Sequence, residues 1–206
     1  MSTHTLIQAE ALAGRLGDSR LRIFDCRFDL ARPDSGRERY LDEHLPGALY
    51  ADLNRDLAAP APATSARHPL PSPPTLEARL RAWRVDAGSL VVAYDDGNGA
   101  FAARLWWMLR WLGHDEVLVL DGGMRRWLAL DLPLDEEVPV PPGGHFVARL
   151  RPDCAVEAAT VLEAARDATA PPSPGLGNHR RRTCRFARVI AASNRTTGNM
   201  RHTCMM

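Results

Sequence analysis

The feature that most constrains the fold of this chain is a short apolar strand, followed at once by a polar loop and a long apolar helix. The stretch from Val91 to Gly113 reads VVAYDDGNGAFAARLWWMLRWLG. Its first residues lack alternation of apolar and polar side chains, which is typical of a parallel strand covered on both faces. In open α/β folds such a strand-to-helix loop commonly carries a ligand or a nucleophile. Here the loop offers Asp95 and Asp96 but no cysteine, serine or lysine.

Helices and strands alternate on both sides of this stretch through residue 134. Helical spacing of apolar residues or polar helix-forming composition predicts helices in TLIQAEALAGRL, SGRERYLDEHL, TLEARLRAWRV with Thr75 as its cap, and GGMRRWLALDLPL. Short apolar runs predict strands in LRIFDCR, in the segment beginning at Ala48, and in EVLVLDGG. The alternation predicts an α/β fold with a doubly wound parallel sheet flanked by helices.

The composition changes after residue 134 and predicts the domain organisation. We expect one domain over residues 1–134 and a linker over 135–150, where the sequence is DEEVPVPPGG and beyond. Residues 151–170 read like the start of a second unit, RPDCAVEAATVLEAARD. Residues 171–206 have almost no apolar periodicity, which predicts a disordered C-terminal tail.

Composition and charge exclude several classes of function. The chain has 206 residues and a formal charge of +1, and all 26 of its cationic side chains are arginine. No basic stripe follows a helix face in the first 150 residues, so we interpret the arginines as codon bias and expect no nucleic-acid partner. No apolar run is long enough to span a bilayer and no leader is evident, so we expect a cytoplasmic protein without a membrane partner.

The cysteines do not form a recognisable site. The chain has four, none in a CxxC pair, so we expect neither a bound metal nor another cofactor. Cys26 lies within a predicted buried strand, where an apolar setting makes a thiol inert, and Cys154 lies at the end of the linker. Cys184 is surrounded by arginines that would favour its thiolate, but no strand precedes it and no glycine-rich loop follows it.

The two aspartates of the loop are not sulfur nucleophiles. A carboxylate cannot become a persulfide, whereas it is a good acceptor for the free N–H groups at the start of a helix. We therefore expect Asp95 and Asp96 to stabilise the following helix and to have no direct role in catalysis. The GxG spacing of Gly97 and Gly99 is too weak a motif to indicate a nucleotide site.

Five motifs together point to a known family. The motifs DCRFDL, DEHLPGALYADL, RHPLP, AYDDGNGAFAARLWWMLRWLGH and LDGGMRRWL resemble, in that order, the N-terminal half of two-domain rhodanese-type sulfurtransferases. These enzymes move sulfane sulfur from thiosulfate or 3-mercaptopyruvate to a thiophilic acceptor, so the resemblance implies a small sulfur-donor substrate. It also implies that the catalytic cysteine belongs to the second domain. We therefore expect no catalytic residue in this chain, a truncated or frameshifted second domain, and no activity of the chain alone.

The resemblance also implies three substrate-binding residues. In 3-mercaptopyruvate-type members a histidine matching His68 and acidic residues near Asp52 and Asn54 approach the substrate, although Asn54 stands where aspartate is frequent. From the residues alone, His68 could equally cap a proline-rich loop and Asp52 could cap a turn.

A second class of function is a non-catalytic rhodanese-like module that binds a protein partner. The apolar helix carries Trp107 and Trp111 four residues apart, so they either pack in the core or dock a missing second domain. An uncovered domain interface would cause self-association.

Overall fold

The computed structural model describes residues 5–61 and 67–156. It contains five strands and five helices in alternating order, with a short 3-10 turn at Pro152–Cys154. The strands are β1 (Leu6–Ile7), β2 (Leu21–Asp25), β3 (Leu49–Tyr50), β4 (Leu90–Tyr94) and β5 (Val117–Leu120). The helices are α1 (Ala9–Ala13), α2 (Ser35–Asp42), α3 (Pro73–Ala82), α4 (Ala100–Trp111) and α5 (Gly123–Ala129). Cys184, the predicted tail and most of the predicted second unit lie outside the described residues.

The five strands form one parallel sheet in the order β1-β5-β4-β2-β3. All five residues of the central strand β4 are buried. Val91 and Ala93 contact the core cluster that contains α3 and α4, whereas Val92 and Tyr94 contact the cluster that contains α1 and α5. Both faces of β4 are therefore covered, which explains its unbroken apolar sequence and confirms the predicted α/β class.

Two element boundaries differ from the prediction. Leu6 and Ile7 form an edge strand that pairs with Val119 and Leu120, although their spacing predicted a helix. The reason is tertiary, because β5 supplies hydrogen-bond partners that no local pattern reveals. Helix α3 is capped by Ser72 instead of Thr75: the Ser72 Oγ accepts a hydrogen bond from the Thr75 amide, and Pro73 follows the cap.

Residues 143–151, here called the C-terminal strap, have no regular secondary structure before the 3-10 turn, yet they are bound to the domain. The Gly144 amide donates to the Arg81 carbonyl at 2.7 Å, and the Arg149 amide donates to the Leu112 carbonyl at 2.8 Å. Phe146 is buried in the core cluster beside α3 and α4, with its ring edge-on to His114. The strap, which lies in and just beyond the segment predicted as a linker, thus completes the cover of this face of the sheet.

The apolar helix α4 packs mostly inward. Trp107 and Trp111 are half-buried, stack on each other with ring centroids 5.6 Å apart, and pack against the core cluster. These contacts favour the core-packing interpretation of the two tryptophans. No helix within the described part of the chain is both long and apolar enough to cross a membrane.

Candidate functional site

The candidate site lies at the carboxyl edge of the sheet, where the loops after β2, β3 and β4 meet. In parallel α/β sheets this edge is where ligands bind. The loop after β4, residues 95–99, is here called the Asp95 loop, and it leads directly into α4. The loops after β2 and β3 contribute Phe28 and Asp52 to the same edge.

The Asp95 carboxylate accepts four backbone hydrogen bonds. Its Oδ1 atom accepts from the amides of Gly97 and Gly99, each at 2.9 Å. Its Oδ2 atom accepts from the amides of Phe101 at 3.0 Å and Ala102 at 3.3 Å. The side chain is buried, with a residue exposure of 1%. The loop is therefore preorganised around an anion, and that anion is the carboxylate of the chain itself.

This geometry agrees with the predicted structural role of Asp95, because its carboxylate accepts the free N–H groups at the start of α4. The group at this position is a carboxylate, which cannot form a persulfide as a thiolate does.

Two glycines of the next loop hold the Asp95 loop in place. Gly122 and Gly123 both have positive φ angles, 76° and 56°. A Cβ atom on Gly123 would collide with the Asp95 carbonyl and the Gly97 backbone. The Asp95 carbonyl also accepts a hydrogen bond from the Met124 amide at 2.8 Å. The LDGG motif is therefore needed because its backbone packs directly against the Asp95 loop.

Asp96 has a different environment from Asp95. Its Oδ1 atom forms a salt bridge with Arg39 Nη1 at 2.7 Å, and both side chains are about two-fifths exposed. This pair ties α2 to the Asp95 loop, and the contribution of such an exposed pair to stability is small.

The DCR motif forms a buried ion pair that sequence reasoning missed. Arg27 Nη2 lies 2.7 Å from Asp25 Oδ2, and the Tyr94 hydroxyl donates to the same oxygen at 2.7 Å. Burial raises the pKa of Asp25, and the charge of Arg27 opposes that rise. The signal was available, because two opposite charges flank Cys26 at the end of an otherwise apolar strand.

Cys26 is buried at the end of β2, and burial raises the pKa of its thiol well above the ordinary value. A thiol in this setting is not a nucleophile, as predicted. Cys154 is half-buried in the 3-10 turn. No cluster of three or more potential metal ligands occurs among residues 5–61 and 67–156.

Asp52 and Asn54 lie together in the turn after β3. Asp52 is buried, and its Oδ1 accepts hydrogen bonds from the amides of Asn54 at 2.7 Å and Arg55 at 3.0 Å. The Asp52 amide in turn donates to the carboxylate of Asp56 at 2.9 Å. The Asp52 carboxylate is thus used in capping the turn, whereas Asn54 is exposed.

His68 lies on the proline-rich loop between β3 and α3. Its ring stands edge-on to Phe28 with centroids 6.2 Å apart, and Phe28 in turn contacts Phe101 of the first turn of α4. The imidazole Nε2 atom is buried and has no hydrogen-bond partner in the described part of the chain. Burial lowers the pKa of His68, and the charges of Arg67 and Arg104 lower it further. Among the described residues, no hydrogen bond joins His68 to Asp52 or Asn54.

An open parallel sheet, alternating helices and loops at the carboxyl edge that are supported by glycines place this domain in the α/β class. The family model for the rhodanese-like domain matches residues 8–130, and the chain therefore belongs to the rhodanese family.

Similar proteins narrow the comparison to sulfurtransferases. The chain is 45% identical over 163 residues to a probable 3-mercaptopyruvate sulfurtransferase of Pseudomonas aeruginosa, covering 78% of this chain and 57% of that protein. It is 35% identical over 174 residues to the 3-mercaptopyruvate sulfurtransferase of Escherichia coli K12, covering 82% of this chain and 60% of the relative. The chain thus matches only somewhat more than half the length of these relatives.

Solved structures agree with these sequence matches. SseA from Escherichia coli, described as a 3-mercaptopyruvate sulfotransferase with the rhodanese fold, superposes with a TM-score of 0.72 at 30% identity, covering 97% of this chain and 71% of that chain. The 3-mercaptopyruvate sulfurtransferase from Leishmania major gives a TM-score of 0.65 at 32% identity, covering 72% of this chain and 41% of that one.

Proposed function

We propose that residues 5–156 form the half of a sulfurtransferase that lacks the nucleophilic cysteine, and that the enzyme moves sulfane sulfur from 3-mercaptopyruvate or thiosulfate to a thiophilic acceptor. In this proposal the domain forms one wall of the substrate cleft. The nucleophilic cysteine comes from a separate rhodanese domain. The relatives named above support the reaction class, and the substrate and the acceptor are part of the proposal.

The observation that carries the proposal is the state of the Asp95 loop. Persulfide formation needs a thiolate, held by amide donors and open to the sulfur donor. At position 95 the donors are present, but a buried carboxylate occupies them. The described residues include two cysteines: Cys26, directly after β2, is buried with a raised pKa, and Cys154 lies in the 3-10 turn at the other end of the domain sequence. The domain therefore has no thiol that could start the reaction at this loop.

Of the three predicted substrate-binding residues, His68 supports the proposal best. Its Nε2 atom is buried and has no hydrogen-bond partner among the described residues, so its capacity to form a hydrogen bond is unused there. The Asp52 carboxylate already caps a turn, in which it accepts a hydrogen bond from the backbone N–H of Asn54. We infer that His68 contacts the anionic substrate, that Asn54 lies at the rim of the cleft, and that Asp52 acts by fixing the turn.

The direct test is sulfur transfer by the purified chain. We expect it to form pyruvate from 3-mercaptopyruvate, or thiocyanate from thiosulfate and cyanide, no faster than a small free thiol at equal concentration. Turnover of about 1 per second or faster would overturn the assignment of the chain as the half without the nucleophilic cysteine. The Cys26→Ser and Cys184→Ser variants would then identify the thiol responsible.

The gene provides a second test. Reading the DNA beyond codon 150 in all three frames should reveal a second rhodanese domain with a cysteine in its strand-to-helix loop. If no frame encodes such a domain, the alternative of a partner-binding module without catalysis replaces this proposal.

We also propose that the chain self-associates through apolar side chains near the strap. Val140 is 91% exposed and Val147 is 63% exposed, and Val138 and Leu150 are about half exposed. Exposed apolar side chains that lie together can form an interaction surface. Light scattering at micromolar concentrations should detect dimers or larger species, and Val140→Ser with Val147→Ser should reduce them. A wild-type chain that is a monomer at these concentrations would contradict this part of the proposal.

A further inference from the structure

Arg104 of α4 binds the proline-rich loop, of which the structure describes residues 57–61 and 67–72. Its Nε atom donates to the Leu57 carbonyl at 2.9 Å. Its Nη2 atom donates to the His68 carbonyl at 2.8 Å and to the Pro69 carbonyl at 3.4 Å. One guanidinium therefore holds both ends of the loop against the helix that follows the Asp95 loop.

The contacts of Arg104 depend on its shape more than on its charge. No carboxylate pairs with it among the described residues, and burial lowers its pKa. A guanidinium has several donors in a fixed plane, so it can bind carbonyls that face it from different directions, whereas a lysine ammonium is a point charge. The Ala59 amide donates to the Pro69 carbonyl at 2.9 Å and closes the loop beside Arg104.

His68 has an unfavourable backbone conformation at the point where Arg104 binds its carbonyl. Its φ angle is 56°, in the left-handed region that is unfavourable for a residue with a Cβ. The Arg104 bond to the His68 carbonyl fixes this conformation. The conformation places the His68 ring against Phe28 at the carboxyl edge of the sheet, with Nε2 unpartnered among the described residues.

We propose that Arg104 is a positioning residue that acts through His68: by binding the carbonyls of Leu57, His68 and Pro69 it fixes the imidazole at the substrate cleft. This inference rests on the proposed function for its substrate. It adds a residue of α4 that does not itself touch substrate.

The test compares Arg104→Lys and Arg104→Met with a matched control, Arg110→Met. Arg110 lies on the same helix but pairs with Asp115 at 3.3 Å and stacks over Trp106, away from the loop. The full-length proteins would be labelled on histidine, and the His68 signals followed by NMR as the pH is varied. His114 and His145 serve as internal references, and urea unfolding identifies variants that are globally destabilised.

We expect the titration midpoint of His68 to rise towards the ordinary value in both Arg104 variants, while the reference histidines and the Arg110→Met protein stay unchanged. Exchange of the Ala59 amide should become about tenfold faster. A lysine variant that keeps the wild-type His68 titration would overturn the proposal, because charge alone would then suffice. Unchanged His68 signals in the methionine variant would overturn it as well.

Adding 3-mercaptopyruvate at millimolar concentration separates this inference from the proposed function. In the wild-type protein the ligand should shift the His68 signals, and in Arg104→Lys the shift should be reduced several-fold. If the ligand shifts no His68 signal although the Arg104 variants behave as expected, the substrate assignment fails and the positioning of His68 by Arg104 stands. If the ligand shifts His68 equally in both proteins, the positioning role fails.

Discussion

Replacement of Asp95 by alanine should destabilise the domain more than replacement of its neighbour Asp96 by alanine. The substitution removes the acceptor of four backbone N–H groups around a site that is 1% exposed. Hydrogen bonds to a charged acceptor are each worth about 1.5 to 3 kcal/mol. If all four were lost without compensation, the free energy of unfolding would fall by about 6 to 12 kcal/mol, which sets the upper bound. Loss of a single helix cap costs about 0.5 to 2 kcal/mol, which sets the lower bound.

The expected loss lies between these bounds because the vacated space is polar and admits water, which satisfies some of the amides. Removing the carboxylate also removes the cost of keeping it buried. We expect Asp95→Ala to lower the free energy of unfolding by about 2 to 4 kcal/mol. Asp95→Asn should lose nearly as much, since one oxygen becomes an amide nitrogen that faces N–H donors.

The neighbouring residue provides the control. Asp96 has one half-exposed salt bridge with Arg39, so Asp96→Ala should cost less than about 1 kcal/mol. Urea unfolding followed by tryptophan fluorescence and by circular dichroism measures both variants. If Asp95→Ala is no less stable than Asp96→Ala, the four amide bonds do not support the loop and the argument from the Asp95 geometry is refuted.

Three further predictions follow from the same structure. Phe146→Ala should lower the free energy of unfolding by about 3 to 5 kcal/mol, because this side chain is buried in the core; a loss below 1 kcal/mol in urea unfolding would show that the strap is dispensable. Burial lowers the pKa of His114 from its ordinary value of 6.5, so the folded state favours the neutral imidazole. The stability that His114 contributes should therefore be present above pH 6.5 and should be lost as the pH falls from 6.5 through the lowered pKa. Thermal unfolding from pH 8 to 5 should show a smaller decline for His114→Asn than for wild type, and equal declines would contradict this. Asp95→Cys should restore no sulfur transfer, since position 95 is 1% exposed and a donor sulfur cannot reach it; pyruvate release at about 1 per second would show otherwise.

The central part of the fold follows from local sequence. Strand β4 is an unbroken apolar run of five residues and α4 is an apolar helix of twelve residues, so the type of each was predictable from its own sequence. The role of Asp95 was predictable for the same reason, because all four of its amide partners lie within seven residues. Local chemistry was therefore sufficient for these features.

Other features depend on partners that are distant in sequence. Strand β1 has two residues and exists because β5 pairs with it. The strap has the proline and glycine composition of a linker, but Phe146 and several backbone amides find partners on α3 and α4. Arg104 looks like an ordinary exposed helix residue, and its carbonyl partners lie 35 to 47 residues away. Such contacts leave no periodic signal in the sequence.

The Asp95 loop and the proline-rich loop that carries His68 have different roles at the same edge of the sheet. A persulfide site must keep its amide donors available to a reactive anion, whereas here the Asp95 carboxylate binds them permanently and stabilises the start of α4. Because the start of α4 is fixed, the position of Arg104 one turn further along is fixed as well. Arg104 then binds the His68 carbonyl and keeps His68 in its left-handed conformation. The carboxylate at position 95 thus leaves this loop without a sulfur nucleophile, and the fixed start of α4 helps the neighbouring loop to keep His68 in its strained conformation. The same reasoning predicts that Asp95→Ala should also perturb the His68 titration, although the two side chains share no hydrogen bond.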